Sequence, residues 1–210
     1  MDIIPGIFEH DPQEIQRRIA LVAPFVRWIQ IDIADGKFVS ANTPSNFPFL
    51  LNYPNTCFEA HLMVTNPETY VKRLVASGFK RLIAHVECHD PREFLAEARV
   101  YECEVGLALN VGTLLEEVEP FLEELDEILV MSVAAGASGQ PFEDEAVEKI
   151  QAIHRNLPDL PIEVDGGING ETIKRVVEAG ATRVISTSYL FNDEHAIQSA
   201  LERLESIGLS

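Results

Sequence analysis

The sequence predicts a single (β/α)8 barrel over residues 1–210. Three observations carry that expectation. Eight short apolar runs recur along the chain, helix-like amphipathic segments separate them, and no linker or compositional break marks a second domain. With 46% hydrophobic residues, a chain of 210 can bury one substantial core.

The strand-like runs are Ile3–Phe8, Trp28–Ile33, Cys57–Met63, Arg81–Val86, Glu104–Leu109, Glu127–Val133, Pro161–Val164 and Arg183–Ser186. Most lean towards Ile, Val and Leu, the pattern of strands covered on both faces. The intervening segments carry helix signals. Asp11-Pro12, Asn66-Pro67 and Asp90-Pro91 each set an N-cap before Pro at the first helical position. Thr113 with Glu116 reads as a capping box opening a fifth helix. Gly78 and Gly180 read as C-caps. An open doubly wound sheet shares this alternation, but no GxGxxG follows the first strand and no P-loop is present.

The net charge of −18, from 34 carboxylates against 16 Lys and Arg, repels nucleic acid phosphates and anionic membranes, so neither is an expected partner. Any phosphate site must then be built from local dipoles. No run approaches the roughly 20 apolar residues that span a bilayer, and Met1–Pro5 lacks the basic start of a secretory signal. Cys57, Cys88 and Cys103 form neither a disulfide framework nor a CxxC site. They read as packing thiols, and a cytoplasmic location is expected.

In a barrel, chemistry gathers at the C-terminal ends of the strands. Those ends carry Gly6, Gln30, Asp32, His61, Met63, Glu87, Asn110, Ser132, Asp165, Thr187 and Ser188. Strand alternation points Gln30 and Asp32 the same way, and likewise His61 with Met63 and Glu163 with Asp165. Two carboxylates and an imidazole at one mouth suit metal ligation or acid–base proton transfer. A strand-end aspartate is more often a loop hydrogen-bonder, and Asp35-Gly36 reads that way. His10, His89, His154 and His195 read as solvated, and His85 as hydrogen-bonded within its strand. Glycine-rich segments follow strands six to eight: Gly136-Ala137-Ser138-Gly139-Gln140, Asp165-Gly166-Gly167 and Ser186-Thr187-Ser188. Their backbone N–H groups can wrap a phosphate.

Trp28–Val39, Ala60–Val64, Gly106–Asn110, Met131–Gln140 and Glu163–Ile168, in that order, resemble the ribulose-phosphate 3-epimerase family along essentially the whole chain. The resemblance implies an oligomeric barrel acting on a ketose phosphate, with one divalent ion (Mg²⁺, Mn²⁺, Zn²⁺ or Fe²⁺) held by two histidines and two aspartates. It implies that Asp32 and Asp165 exchange protons with C3 from opposite faces, and that Asp32, His61 and Asp165 hold the metal. It also implies a phosphate subsite at Gly136, Ser138, Gly139, Gln140, Gly166, Gly167, Thr187 and Ser188, with Gly6, Met63 and Met131 against the substrate.

Several positions depart from the family pattern. Gln30 stands where the second histidine is usual, and its neutral amide is a poorer ligand for zinc or iron. It could serve as a fourth ligand to a harder ion, or bind substrate in a site without metal. Gly6 replaces a serine, so a hydroxyl near the reacting centre is expected to be lost. Ala34, Ser40-Ala41, Ser138 and Thr187-Ser188 also differ. The leading expectation is epimerisation of D-ribulose 5-phosphate to D-xylulose 5-phosphate. The alternatives are a related barrel acting on another sugar phosphate, such as an allulose 6-phosphate epimerase or a hexulose-phosphate synthase, and a non-catalytic sugar-phosphate-binding barrel. The synthase is disfavoured because Asp32-Ile33-Ala34-Asp35 lacks a lysine between its acidic residues.

Overall fold

A computed structural model describes residues 1–137 and 139–208. Eight strands run β1 (Asp2–Ile7), β2 (Trp28–Ala34), β3 (Cys57–Met63), β4 (Phe79–His85), β5 (Glu104–Leu109), β6 (Glu127–Met131), β7 (Ile162–Asp165) and β8 (Arg183–Ser186). All neighbours pair in parallel and in chain order, and β8 closes on β1. The expected (β/α)8 barrel is the observed fold, with strand ends shifted by one or two residues at β1, β2, β4, β6 and β7.

Helices α1 (Pro12–Val22), α2 (Glu68–Ser77), α3 (Pro91–Val100), α4 (Glu145–Asn156), α5 (Thr172–Ala179), α6 (Ser188–Phe191) and α7 (Ile197–Gly208) cover the outside. Asp11 and Asp90 accept from the backbone N–H of Gln13 and Arg92, each at 2.9 Å, so both caps form as read. Asn66 makes no such side-chain cap. Its carbonyl instead accepts from the Thr69 hydroxyl at 2.8 Å. Gly78 and Gly180 end α2 and α5 at φ +107° and +120°, a backbone conformation open to glycine.

Two of the expected β-then-α units lack an α-helix. After β2 the chain makes only a 3₁₀ turn at Pro48–Asn52. After β5 it makes 3₁₀ turns at Leu115–Glu117 and Glu119–Glu124, so the expected fifth helix at Thr113 does not form. Pro120 lacks the N–H a helix needs and disfavours helical backbone at Glu119. The Thr113 hydroxyl, meant as the cap, donates to Glu87 instead.

Apolar side chains between strands and helices form the main core, where Phe47 and Phe79 meet edge-to-face with centroids 5.5 Å apart. A smaller cluster of Ile83, Ala108, Leu129, Met131 and Val133 fills part of the barrel interior. The rest of the interior is polar. Glu59, Arg81, Glu127 and Glu163 are fully buried there. Arg81 Nη1 donates to Glu59 at 2.6 Å, its Nε lies 3.2 Å from Glu127, and its guanidinium stacks on Trp28 at 4.1 Å. Strand alternation sets Glu59 and Glu163 one layer beneath His61 and Asp165.

Candidate active site

Four residues from three strands converge at the C-terminal mouth. On β2 and β3, Asp32 pairs in register with His61, while Asp165 ends β7. Gln30, also on β2, lies wholly buried and donates through Nε2 to Asp32 Oδ1 at 3.0 Å and to Asp165 Oδ2 at 2.9 Å. His61 Nδ1 sits 3.0 Å from Asp32 Oδ1 and 3.6 Å from Asp165 Oδ2. The structure thus brings the aspartate pair together as expected. Gln30 enters as a bridging amide donor between them, and its Oε1 is buried with no hydrogen-bond partner among the described residues.

The Asp32 charge acts on both Asp165 and His61. Burial raises the Asp165 pKa, and the Asp32 charge adds to this against His61 and the Gln30 hydrogen bond, leaving it at about 6. Burial pulls the His61 pKa down, but the hydrogen bond to Asp32 and the charges of Asp32, Asp165 and Glu87 outweigh it, so the net shift is upward. The site attracts positive charge.

Behind His61 a hydrogen-bonded chain continues across the barrel. His61 Nε2 and His85 Nε2 are 2.9 Å apart, and His85 Nδ1 lies 3.0 Å from Glu87 Oε2. The Asn110 N–H donates to Glu87 Oε1 at 2.9 Å, and the Thr113 hydroxyl shares that oxygen. Burial pushes the Glu87 pKa up, yet the hydrogen bonds from His85, Thr113 and Asn110 override it and hold the carboxyl at about 2. His85 is therefore hydrogen-bonded as read, but its partner makes it part of the site. Its inward parity with Arg81 and Ile83 was the available signal. No local sequence signal marks Lys149 as part of this region. From α4 it reaches in, 7% exposed, and donates to the Asn110 carbonyl at 2.9 Å.

A cleft opens beside the aspartates, lined by Asp32, His61, Met63, Met131, Asp165 and the loops after β6, β7 and β8. Gly136, Gly139, Gly166, Gly167, Thr187 and Ser188 all line it. Gly136 has φ +95°, and a Cβ there would meet the Val39 side chain at 2.7 Å, so this loop conformation requires glycine. The Gln140 side chain braces its own loop, donating to the Ala134 and Ala137 carbonyls at 2.6 and 2.8 Å. Ser138 lies outside the described residues. Gly6 does not line the cleft but stands behind Gln30, where a Cβ would be 3.9 Å from Gln30 Nε2. Asp35 is the loop-former expected, accepting from the N–H groups of Lys37, Phe38 and Thr65. His10, His89, His154 and His195 are exposed.

Residues 2–191 match the model of the ribulose-phosphate 3 epimerase family. The chain belongs to the ribulose-phosphate 3-epimerase family. Among curated relatives of this epimerase family, the ribulose-phosphate 3-epimerase of Schizosaccharomyces pombe is 29% identical over 197 residues, covering 90% of this chain and 86% of that one. The cytoplasmic isoform of ribulose-phosphate 3-epimerase from Oryza sativa subsp. japonica is 35% identical over 172 residues, covering 78% and 75%. Its relatives make the chain an enzyme of an isomerase family and support action on a sugar phosphate.

Solved structures similar in fold include 3-hexulose-6-phosphate synthase from Salmonella typhimurium, with TM-score 0.74, 16% identity and coverage of 100% and 99%. A KGPDC from Streptococcus mutans, solved with D-R5P, gives TM-score 0.78 at 11% identity, covering 99% and 97%. At such identities these two share the barrel alone. Among the described residues no helix is long and apolar enough to cross a membrane.

Proposed function

We propose that this protein epimerises C3 of a ketose phosphate, converting D-ribulose 5-phosphate to D-xylulose 5-phosphate, with Asp32 and Asp165 as the proton-transfer groups. One observation carries the reading: the two carboxylates share the Gln30 amide and His61 at the floor of a cleft whose rim is three glycine- and hydroxyl-rich loops. One aspartate removes the proton at the carbon α to the ketone, giving an enediolate. The other returns a proton to the opposite face, and the configuration inverts. With one carboxyl protonated and the other ionised, one member acts as acid while the other acts as base.

The phosphate end of the substrate goes to the N–H groups of Gly136, Gly139, Gly166 and Gly167 and the hydroxyls of Thr187 and Ser188. In a protein of charge −18, oriented backbone dipoles serve where basic side chains are scarce. Met63 and Met131 wall the cleft and shield the reacting carbon from water.

The residues present fit a divalent cation. Asp32, His61 and Asp165 each offer a ligand atom within 4.8 Å of the others. The buried, unpartnered Gln30 Oε1 supplies a fourth donor if the amide turns over. Such a carboxylate- and amide-rich set suits Mg²⁺ or Mn²⁺ better than a thiophilic ion. When bound, the ion would supply positive charge to stabilise the developing oxyanion. Gln30 and His61 orient the two carboxylates towards the cleft, and the cytoplasmic setting of the rice relative suits a protein with three free thiols.

The test is wash-in of solvent deuterium at C3 of D-ribulose 5-phosphate together with formation of the epimer. Wild type should do both, and Asp32→Asn or Asp165→Asn should each lose roughly 10²- to 10⁴-fold. Full epimerisation by either variant overturns the mechanism. Exchange seen only with a six-carbon ketose phosphate overturns the substrate.

A further inference from the structure

We propose that His85 and Glu87 act as positioning residues that fix the tautomer of His61, turning its Nδ1 lone pair towards Asp32 and Asp165 for a divalent cation. This rests on the metal reading above and extends it to two residues that touch neither cation nor substrate.

A neutral imidazole has one N–H donor and one bare acceptor nitrogen. Which nitrogen carries the proton is set by what surrounds the ring. Glu87 fixes one end of the chain. Its carboxylate accepts from the Asn110 N–H at 2.9 Å and from the Thr113 hydroxyl, and it faces His85 Nδ1 at 3.0 Å. An ionised carboxylate has no proton to give, so the proton in that contact belongs to His85 Nδ1. The Asn110 amide nitrogen is farther from the same atom, at 3.3 Å, and the charged acceptor wins.

His85 is wholly buried and packed under the Phe38 ring at 4.9 Å, and burial favours the neutral ring. With its proton on Nδ1, His85 Nε2 is an acceptor. The atom opposite, 2.9 Å away, is His61 Nε2, which must therefore be the donor. Protonated His61 also gives its Nδ1–H to Asp32; the neutral ring, which keeps the Nε2 proton, is left with a bare Nδ1 at 3.0 Å from Asp32 Oδ1 and 3.6 Å from Asp165 Oδ2. Three electron pairs then converge, an arrangement that repels itself until a cation enters. Outer hydrogen-bond partners of ligating histidines set affinity in this way, commonly by about 10- to 100-fold.

The experiment measures Zn²⁺ and Mn²⁺ affinity of the full chain by chelator competition, in wild type, Glu87→Gln, His85→Leu and His85→Gln. Circular dichroism and melting temperature check folding. His85→Leu removes the acceptor and should weaken binding about 10- to 100-fold. His85→Gln, whose carbonyl can still accept from His61 Nε2, should retain most of it. In parallel, long-range ¹H–¹⁵N correlation on ¹⁵N-histidine-labelled, metal-free protein at alkaline pH reads the His61 tautomer directly. Wild type should show Nε2–H, and Glu87→Gln should show loss of that preference.

Unchanged affinity in both Glu87→Gln and His85→Leu, or an Nδ1–H tautomer in wild type, overturns the proposal. If His85→Leu does not fold, Glu87→Gln and His85→Gln decide it. A wild-type protein that binds no divalent cation removes the metal reading. The tautomer then decides the His85–Glu87 relay alone, Nε2–H upholding it and Nδ1–H overturning it.

Discussion

The Thr187 hydroxyl oxygen stands 2.6 Å from the point where a side chain on Gly6 would begin. Gly6 lies in β1 and Thr187 directly follows the adjoining strand β8, whose Ile185 Cγ2 methyl crowds the same point at 2.6 Å. The expected loss of a hydroxyl at Gly6 is thus offset in space, because Thr187 delivers one from the neighbouring strand end. Gly6→Ser alone should overpack this corner, costing about 1–3 kcal/mol, and should raise KM. Adding Thr187→Gly should recover part of the lost stability, with Ile185 keeping the recovery incomplete, but should leave KM high because it removes a phosphate-binding hydroxyl. A double-mutant cycle read by urea unfolding and by KM measures the coupling. Strict additivity would show that the two positions do not share this space.

Gln30 offers a neutral oxygen where an imidazole would bind a borderline metal more tightly. Gln30→His should therefore raise Zn²⁺ affinity by about tenfold or more. It should also remove the Nε2 hydrogen bonds that Gln30 gives Asp32 and Asp165. Chelator competition checks the first effect, and the pH–rate profile checks the second. Equal Zn²⁺ affinity in the two proteins would mean that this position does not reach the ion.

Gly136 holds φ +95° against Val39 in the loop after β6. Gly136→Ala forces a Cβ into both constraints and should displace the loop N–H groups. Because the aspartates lie elsewhere, the expected signature is a KM several-fold higher with metal content unchanged. Inorganic phosphate should also inhibit the variant more weakly than it inhibits wild type.

Glu163 has two buried carboxylate oxygens with no hydrogen-bond partner among the described residues. Burial, reinforced by the charges of Glu59 and Glu127, raises its pKa well above the ordinary 4.5 despite Arg81 and Arg183. The same burial, with the Glu127 charge, lifts Glu59 to about 8. The folded state therefore binds more protons than the unfolded one above about pH 4.5. The stability this provides is complete below that pH and is lost as pH rises through the folded values, near 8 for Glu59. Glu163→Gln keeps the shape and removes one of these protonations. Its urea midpoint should match wild type near about pH 5 and exceed it near about pH 8.5. A wild-type midpoint that does not fall over that range would contradict the account.

Local chemistry made the barrel legible. Apolar runs covered on both faces, the Asp-Pro caps at Asp11 and Asp90, and the terminal glycines Gly78 and Gly180 are short-range signals that survive folding unchanged. Asp32, His61 and Asp165 were readable for a related reason. Strand parity and position at a strand's C-terminal end are properties of the chain itself, and the barrel then collects those ends into one mouth.

What only the tertiary structure decided are pairings between distant segments. The missing helix after β5 depends on Pro120 and on Thr113 finding Glu87, 26 residues away in sequence. Gln30 became a bridge because β7 brings Asp165 to it across 135 positions. His85 joined the site because β3 lies beside β4, and Thr187 filled the space over Gly6 because the barrel closes β8 on β1. Hydrogen-bond direction and steric exclusion act over a few ångströms in space, so they were fixed only once closure had set which strands are neighbours.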